Sequence, residues 1–210
     1  MSEEVLTRSE ILEGLAKILR VQEQISEYVR ERLCLTPNEV EGKSEEWVDR
    51  RKKTFSNIKS LIDKYSFSAR LPKDDLGYMT HAVIEYLLRI QHTFAQILVI
   101  VDSLRGESFS EIYMNSLTTI SSKVHEQIVT LRIMVEAVSS DPESIMTNLD
   151  LIVKLERQVD EDNIVICRQI SFKTAGGESG FSCYMMRKII AELEHISDYV
   201  KECAEIVADI

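Results

Sequence analysis

The sequence has few residues that interrupt helices, since it contains only seven glycines and three prolines among its 210 residues. A chain of this kind favours long helices joined by short connections. Its four cysteines, Cys34, Cys167, Cys183 and Cys203, show no paired short spacing, so neither a thiolate zinc site nor a redox pair is indicated. We expect buried free thiols in a reducing compartment.

The sequence is also poor in positive charge, because 35 aspartates and glutamates outnumber 25 lysines and arginines. The net charge of -10 disfavours nucleic acid as a partner and broad adhesion to an anionic membrane surface. The longest aliphatic run, 97–101, is far shorter than the ~20 residues that cross a bilayer, so we do not expect an integral membrane protein. The first residues, Met1-Ser2-Glu3-Glu4, lack the basic and then apolar order of a secretory signal. We therefore expect a cytoplasmic protein.

Apolar residues recur at helical spacing along most of the chain, which predicts an all-α fold. Thr7 and Glu10 have the spacing of a capping box, and so do Ser108 and Glu111. Pro142 stands where a first helical turn tolerates proline. Together these signals predict six long helices, at about 8–33, 45–65, 74–104, 109–138, 142–171 and 180–208.

The third and sixth predicted helices align without a gap when the sequence is shifted by 106 residues. Tyr78 then falls on Tyr184, and Leu87 falls on Leu193. Because the order of three helices also occurs twice, we predict an internal duplication. The predicted architecture is a tandem pair of three-helix bundles, with units at residues 1–106 and 107–210.

Four acids in the second half indicate a possible metal site. On the fifth predicted helix, Glu156 falls within the apolar stripe at ~100° per residue, and Asp160 falls at its edge. Burial of an unpaired carboxylate costs several kcal/mol, so Glu156 needs a partner. Glu194 and Asp198 share one face of the sixth helix. If the two helices pack antiparallel, the four carboxylates can form a site of hard oxygen ligands. The alternative is a set of structural salt bridges to neighbouring cations: Arg157, Arg187 and Lys188.

The segments 155–160 (LERQVD) and 192–198 (ELEHISD) resemble the acidic motifs of PhoU-like phosphate-transport regulators. In that family, tandem three-helix units carry Glu/Asp-x-x-x-Asp on their second and third helices. The resemblance covers most of the chain by architecture, whereas the specific motifs lie within about 155–207. It implies a cytoplasmic regulator, not an enzyme, whose partner is a phosphate transporter or its regulatory machinery. It also implies a metal ion or multinuclear cluster, of iron or another divalent metal, held by Glu156, Asp160, Glu194 and Asp198. We also expect a homo-oligomer.

The first half departs from this motif. Under the 106-residue shift, the four acids of the second half correspond to Arg50, Thr54, Leu88 and His92. Because these residues cannot form the same cluster of carboxylates, we expect at most one metal cluster, in the second half.

Two other functions stay open at this stage. One is a ferritin-like dinuclear metal oxidase, which needs two Glu-x-x-His elements. Glu192 and His195 supply one such element, but the remaining histidines have no glutamate three residues before them: His81, His92 and His125. The other is a helical interaction module that binds no metal.

Overall fold

The computed structural model describes residues 5–35, 44–104, 111–175 and 180–210. Within these ranges the chain forms six α-helices and no β-strand, which confirms the all-α class. The helices are α1 (Arg8–Leu33), α2 (Ser44–Lys64), α3 (Asp75–Ser103), α4 (Glu111–Ala137), α5 (Pro142–Ala175) and α6 (Gly180–Asp209). The predicted bounds agree to within about two residues, except that α5 continues to Ala175 instead of ending near residue 171.

Local capping explains where several helices begin. The predicted capping box of α1 is confirmed: Thr7 accepts a hydrogen bond from the Glu10 N–H, and the Glu10 carboxylate accepts one from the Thr7 N–H at 2.8 Å. At the start of α3, the Asp74 carboxylate accepts a hydrogen bond from the Gly77 N–H at 3.0 Å. Pro142 is the first residue of α5, as predicted. The second predicted capping box includes Ser108, which lies outside the described residues.

Helices α3 and α6 pack against each other in antiparallel orientation. The Cys203 thiol on α6 donates to the Val83 carbonyl on α3 at 3.8 Å. Further along, the rings of Tyr86 and Tyr199 lie 6.0 Å apart between centroids. The residue number therefore rises along α3 while it falls along the facing part of α6.

Helices α1 and α4 form a second antiparallel pair, and its edge carries a network of ion pairs. Arg132 contacts Glu23 at 2.5 Å and Glu136 at 2.8 Å. Arg20 reaches the same Glu136 at 2.9 Å. Helix α5 then packs on both α4 and α6, which places its inner face beside the acidic residues of α6.

One hydrophobic core joins all six helices. Its fully buried members come from both halves of the sequence: Ile18, Leu61, Ile97, Ile128, Ile152 and Ile196. Helix α3 is long and apolar enough to cross a bilayer by length and composition, but 56% of its most apolar stretch is buried inside the protein. The central helix of a water-soluble bundle has the same properties.

All four cysteines are free, as predicted, but only two of them are buried. Cys183 and Cys203 lie in the core, and burial raises the pKa of the Cys203 thiol. Cys34 and Cys167 are half-buried, so the expectation that all four are core residues is wrong for these two. Cys167 lies at the edge of the inner face of α5, where its thiol donates to the Asn163 side-chain oxygen at 3.2 Å.

Candidate metal centre

Three carboxylates meet where α5 faces α6. Asp160 on α5 and Glu194 and Asp198 on α6 each contribute an oxygen atom, and these three atoms lie within 4.8 Å of one another. Glu194 and Asp198 project from the same face because a spacing of four residues is close to one helical turn. All three side chains are half-buried.

Glu156, the fourth predicted ligand, lies beside this group and does not belong to it. Its carboxyl pKa is raised, first by partial burial and then by the charge of Asp160, whereas the Lys201 ammonium acts in the opposite direction. Glu156 is half-buried, so its predicted place within the buried stripe needs correction. Leu155 is buried instead, so the inner face of α5 includes Leu155 and leaves Glu156 at its edge.

The negative charges of these acids repel one another. Partial burial is the largest cause of the raised pKa of both Glu194 and Asp198. The next cause is a neighbouring carboxylate: Asp198 acts on Glu194, and Asp160 acts on Asp198. Like charges that are close together in a partly dehydrated place disfavour the ionised form. The folded protein therefore holds protons at this site more firmly than an isolated carboxyl group does.

One buried oxygen at this site is an unsatisfied hydrogen-bond acceptor among the described residues. The Oδ1 atom of Asp160 is buried and has no hydrogen-bond partner among the described residues. Leaving such an acceptor unpaired costs about 1–3 kcal/mol. A cation placed among the three carboxylates would give this oxygen a partner and offset the repulsion between their charges.

The three side chains fit a small divalent or ferric cation. Carboxylate oxygens are the ligands that hard cations prefer, at distances of about 2.0–2.6 Å. Two oxygens on opposite sides of one such ion are about 4–5 Å apart, which is compatible with the 4.8 Å limit within the group. The donor set suits a hard ion better than copper or a structural zinc, because no thiolate or imidazole belongs to this group of three.

The basic side chains that act on the charges of these acids include Arg157, His195 and Lys201. His195 points to its own helix neighbours, with Nδ1 3.5 Å from Glu192 and Nε2 3.9 Å from Glu194. Of the alternative salt-bridge partners, Arg157 lowers the pKa of Glu156 without forming an ion pair with it in the described part of the chain. Sequence reasoning missed Lys201, whose position one turn after Asp198 was the available signal.

The corresponding positions of the first half have a different chemistry. Arg50, which aligns with Glu156, forms an ion pair with Glu31, and its guanidinium lies 4.7 Å from the centre of the Trp47 ring. His92, which aligns with Asp198, shares a hydrogen bond with Gln96 at 2.9 Å. A cation and an imidazole thus stand where the second half has carboxylates.

The site is thus an arrangement of oxygen donors on two packed helices, of the type that hard cations prefer.

A scan against models of known protein families finds no match to this chain, and a search of curated proteins finds no significant match either.

Proposed function

We propose that this protein is a PhoU-like cytoplasmic regulator associated with phosphate transport, and that it binds metal through Asp160, Glu194 and Asp198, with Glu156 beside them. The observation that carries the metal proposal is the meeting of three carboxylates, one of which, Asp160, has a buried oxygen without a hydrogen-bond partner among the described residues. The link to phosphate transport is supported by the resemblance of segments 155–160 and 192–198 to the family's acidic motifs. The ion is a divalent or ferric ion, alone or within a multinuclear cluster.

We also infer that the fold is a tandem pair of three-helix units, α1–α3 and α4–α6. Aligned residues have matching burial: Tyr78 and Tyr184 are both exposed, and Leu87 and Leu193 are both buried. Extending the antiparallel register of α3 and α6 from their observed contacts places residue 90 opposite residue 196. These two positions are 106 residues apart, as expected where a two-fold axis relates duplicated units.

The regulatory consequence follows from electrostatics. Without a cation, the repulsion between the carboxylates opposes the packing of α5 on α6. An ion that binds only the folded form stabilises that form by mass action. The packing of α5 and α6, and any partner surface that depends on it, would then follow metal occupancy.

The metal proposal is tested by measuring metal content and melting temperature in untagged protein. We expect a chelator to lower the melting temperature of the wild type by several degrees, because about 1 kcal/mol corresponds to roughly 2–4 °C in a chain of this size. Asp198→Asn should remove this response, and Glu156→Gln should reduce it less because Glu156 lies outside the closest group. Glu161→Gln, which changes an exposed residue of α5, is the control and should respond like the wild type.

Two results would count against these proposals separately. A melting temperature that neither chelator nor added Mg²⁺, Mn²⁺ or Fe²⁺ changes would refute the metal site. If deletion of the gene left phosphate uptake and phosphate-responsive expression unchanged, the regulatory role would be refuted, whatever the metal content.

Lys201 favours a second candidate, a metal-free helical interaction module. Its ammonium lies near Glu156 and lowers the pKa of that carboxyl group, so the protein already supplies one cation to this acidic region. Lys201 also lies 3.7 Å from Glu202 and 3.4 Å from Glu205, so it interacts with three acids. Absence of bound metal together with an unchanged melting temperature in chelator would support this candidate.

The ferritin-like oxidase has less support from the geometry. His195 lies outside the group of three carboxylates, and that group contains only one residue of the Glu192–His195 segment. Oxygen consumption on addition of ferrous iron would identify such an enzyme. We expect no oxygen consumption above the rate at which ferrous iron is oxidised in buffer alone.

A further inference from the structure

A groove of about 350 Å³ lies between α3 and α6. This volume is within the range of about 300–1,000 Å³ that is typical of ligand pockets. Polar residues of both helices line it: Arg89, His92, Thr93 and Gln96 on α3, and Glu192, His195 and Tyr199 on α6. None of the three clustered carboxylates lines this groove.

Arg89 gives the groove a permanent positive charge. Its guanidinium carbon lies 5.4 Å from the centre of the Tyr86 ring and 5.8 Å from that of Tyr199. Among the residues that the structure describes, no carboxylate pairs with it, although the chain has a net charge of -10. A guanidinium held against aromatic rings keeps its N–H edge available for a planar or tetrahedral oxyanion.

The other lining residues add hydrogen-bonding groups and one acid. The Nε2 atom of His92 lies 2.9 Å from the side-chain nitrogen of Gln96, so both groups are held in the groove. The acid is Glu192, and its carboxylate already lies 3.5 Å from Nδ1 of His195. Arg89 and His92 therefore present a cation and an imidazole to a ligand.

The groove also has an apolar wall. The ring of Tyr199 stands between those of Tyr86 and His195, with centroids 6.0 and 6.5 Å away. Leu88, at the edge of the groove, keeps 40% of its surface exposed. Aromatic and aliphatic surface beside a single arginine fits a ligand that carries both an oxyanion and a flat apolar part.

We propose that this groove binds a small organic oxyanion, with a phosphate or carboxylate group attached to an apolar ring. The guanidinium of Arg89 binds the oxyanion, His92 and Gln96 add hydrogen bonds, and the ring packs against Tyr199. This site goes beyond the metal-dependent function proposed above, and it requires no ion at the carboxylates.

The test is calorimetric titration of the full-length protein in the presence of chelator, with phenyl phosphate, benzoate and inorganic phosphate as probes. We expect saturable binding of phenyl phosphate or benzoate, and the tighter of the two identifies the oxyanion. Inorganic phosphate, which has no ring, should bind at least about tenfold more weakly than phenyl phosphate if the phosphate form is preferred. Tyr199→Leu should weaken binding of the ring compounds by a larger factor than that of inorganic phosphate.

Variants of Arg89 separate specific recognition from general attraction. Arg89→Gln should lower affinity about tenfold or more, because it removes a charge-assisted, bidentate contact. Arg89→Lys should lose less, since it keeps the charge and loses only the fork geometry. Arg168→Gln removes an exposed positive charge on α5, outside the groove, and should bind like the wild type.

Three outcomes would overturn the proposal. One is the absence of saturable binding for all three probes. Another is an equal loss of affinity in Arg89→Gln and Arg168→Gln while both variants keep the wild-type melting temperature. The third is binding that appears only with added metal and disappears in chelator. That result would mean that the anion binds a metal ion and not Arg89, and it would not contradict the proposed metal function.

Discussion

At the residue scale, the acids between α5 and α6 are characterised by how firmly they hold protons. The carboxyl groups of Glu156, Glu194 and Asp198 all have a raised pKa, with partial burial as the largest cause and neighbouring acids next. A carboxyl group with a raised pKa binds its proton more tightly in the folded than in the unfolded state. Its contribution to stability is therefore fully present at acidic pH and is lost as the pH rises through the folded pKa.

This loss of stability with rising pH predicts how Glu194→Gln changes the stability of the metal-free protein. Glutamine cannot ionise, so the variant avoids the repulsion that develops above pH 4.5, the usual value for glutamate. We expect its melting temperature in chelator to rise relative to the wild type as the pH is raised from about 4 to about 7, by roughly 2–4 °C. The measurement is a series of thermal melts across this range.

Glu161→Gln provides the control for that series, because Glu161 is an exposed acid of the same α5 helix. Its melting temperature in chelator should stay close to that of the wild type. If Glu194→Gln changes the melting temperature no more than Glu161→Gln does at any pH of the series, the interaction of Glu194 with its neighbouring acids does not affect stability, which contradicts the prediction.

The places of Glu156 and Asp160 show which part of the site could be predicted from sequence. The spacing of four residues correctly identified acids that share a face, because that depends only on helix geometry. The sequence pattern did not fix the rotation of α5 about its axis. The burial of Leu155 shows the rotation that α5 adopts. This rotation depends on how α5 packs on both α4 and α6, which a local pattern does not contain.

At the element scale, the closest backbone contact of any glycine that the structure describes lies at the start of α3. A Cβ atom on Gly77 would lie 1.8 Å from the carbonyl oxygen of Pro72, so the backbone would have to move to accept any side chain. The same residue donates its N–H to the capping carboxylate of Asp74. The close approach and the cap depend on the same short segment.

We therefore predict that Gly77→Ala destabilises the protein by about 1–3 kcal/mol, as overpacking typically does. Gly180→Ala is the matched control, since a Cβ atom at Gly180 meets nothing within 4 Å. That change should be neutral or stabilise the protein by up to about 1 kcal/mol, because alanine favours helix. Urea denaturation of the two variants measures the difference, and equal stability would contradict the prediction.

The ion-pair network between α1 and α4 gives a second prediction at this scale. Arg132→Met removes the partner of Glu23, a side chain that is 29% exposed, and one of the two partners of Glu136. We expect a loss of about 1–3 kcal/mol, because a partly buried carboxylate is left without its donor. Chemical denaturation at low and at moderate salt measures this loss.

Lys17→Met is the control for that network. Its ion pair with Glu13 joins two side chains that are more than half exposed, and such pairs contribute about 0–1 kcal/mol. A loss for Arg132→Met no larger than that for Lys17→Met would show that the network does not hold α1 to α4.

Six helices could be predicted because apolar spacing, caps and scarce glycine and proline are all local signals. The 3-10 helix at Tyr65–Arg70 could not be predicted in this way. Tyr65 is buried, and its hydroxyl accepts a hydrogen bond from Gln22 of α1 at 3.4 Å. That contact joins residues far apart in sequence, so the local pattern does not contain it.

At the scale of the whole molecule, the two halves share their core. The largest helix contacts are those of α1 with α4 and of α3 with α6, and both join residues before position 106 to residues after it. Fully buried side chains such as Ile90 and Ile196 belong to the same cluster. Each predicted unit, taken alone, would expose to water the face that it presents to the other.

This shared core predicts the behaviour of the two halves when they are made as separate chains, 1–106 and 107–210. Alone, each chain should be helical without a cooperative thermal transition, or should self-associate, because burial of apolar surface is the main driving force of folding. When mixed, they should form a 1:1 complex with a cooperative transition. Circular dichroism and analytical ultracentrifugation measure both states.

A substitution at the shared face makes this last prediction specific. Ile90→Asp in the 1–106 chain places a charge at a fully buried position and should abolish the complex, because an unpaired buried charge is strongly unfavourable. Val99→Asp places the same charge on the same helix at a side chain that is 63% exposed, and it should leave the complex intact. If 107–210 alone is monomeric and melts cooperatively at the temperature of the full chain, the halves are independent domains. The metal site, which lies entirely on α5 and α6, would then be stable without the first half.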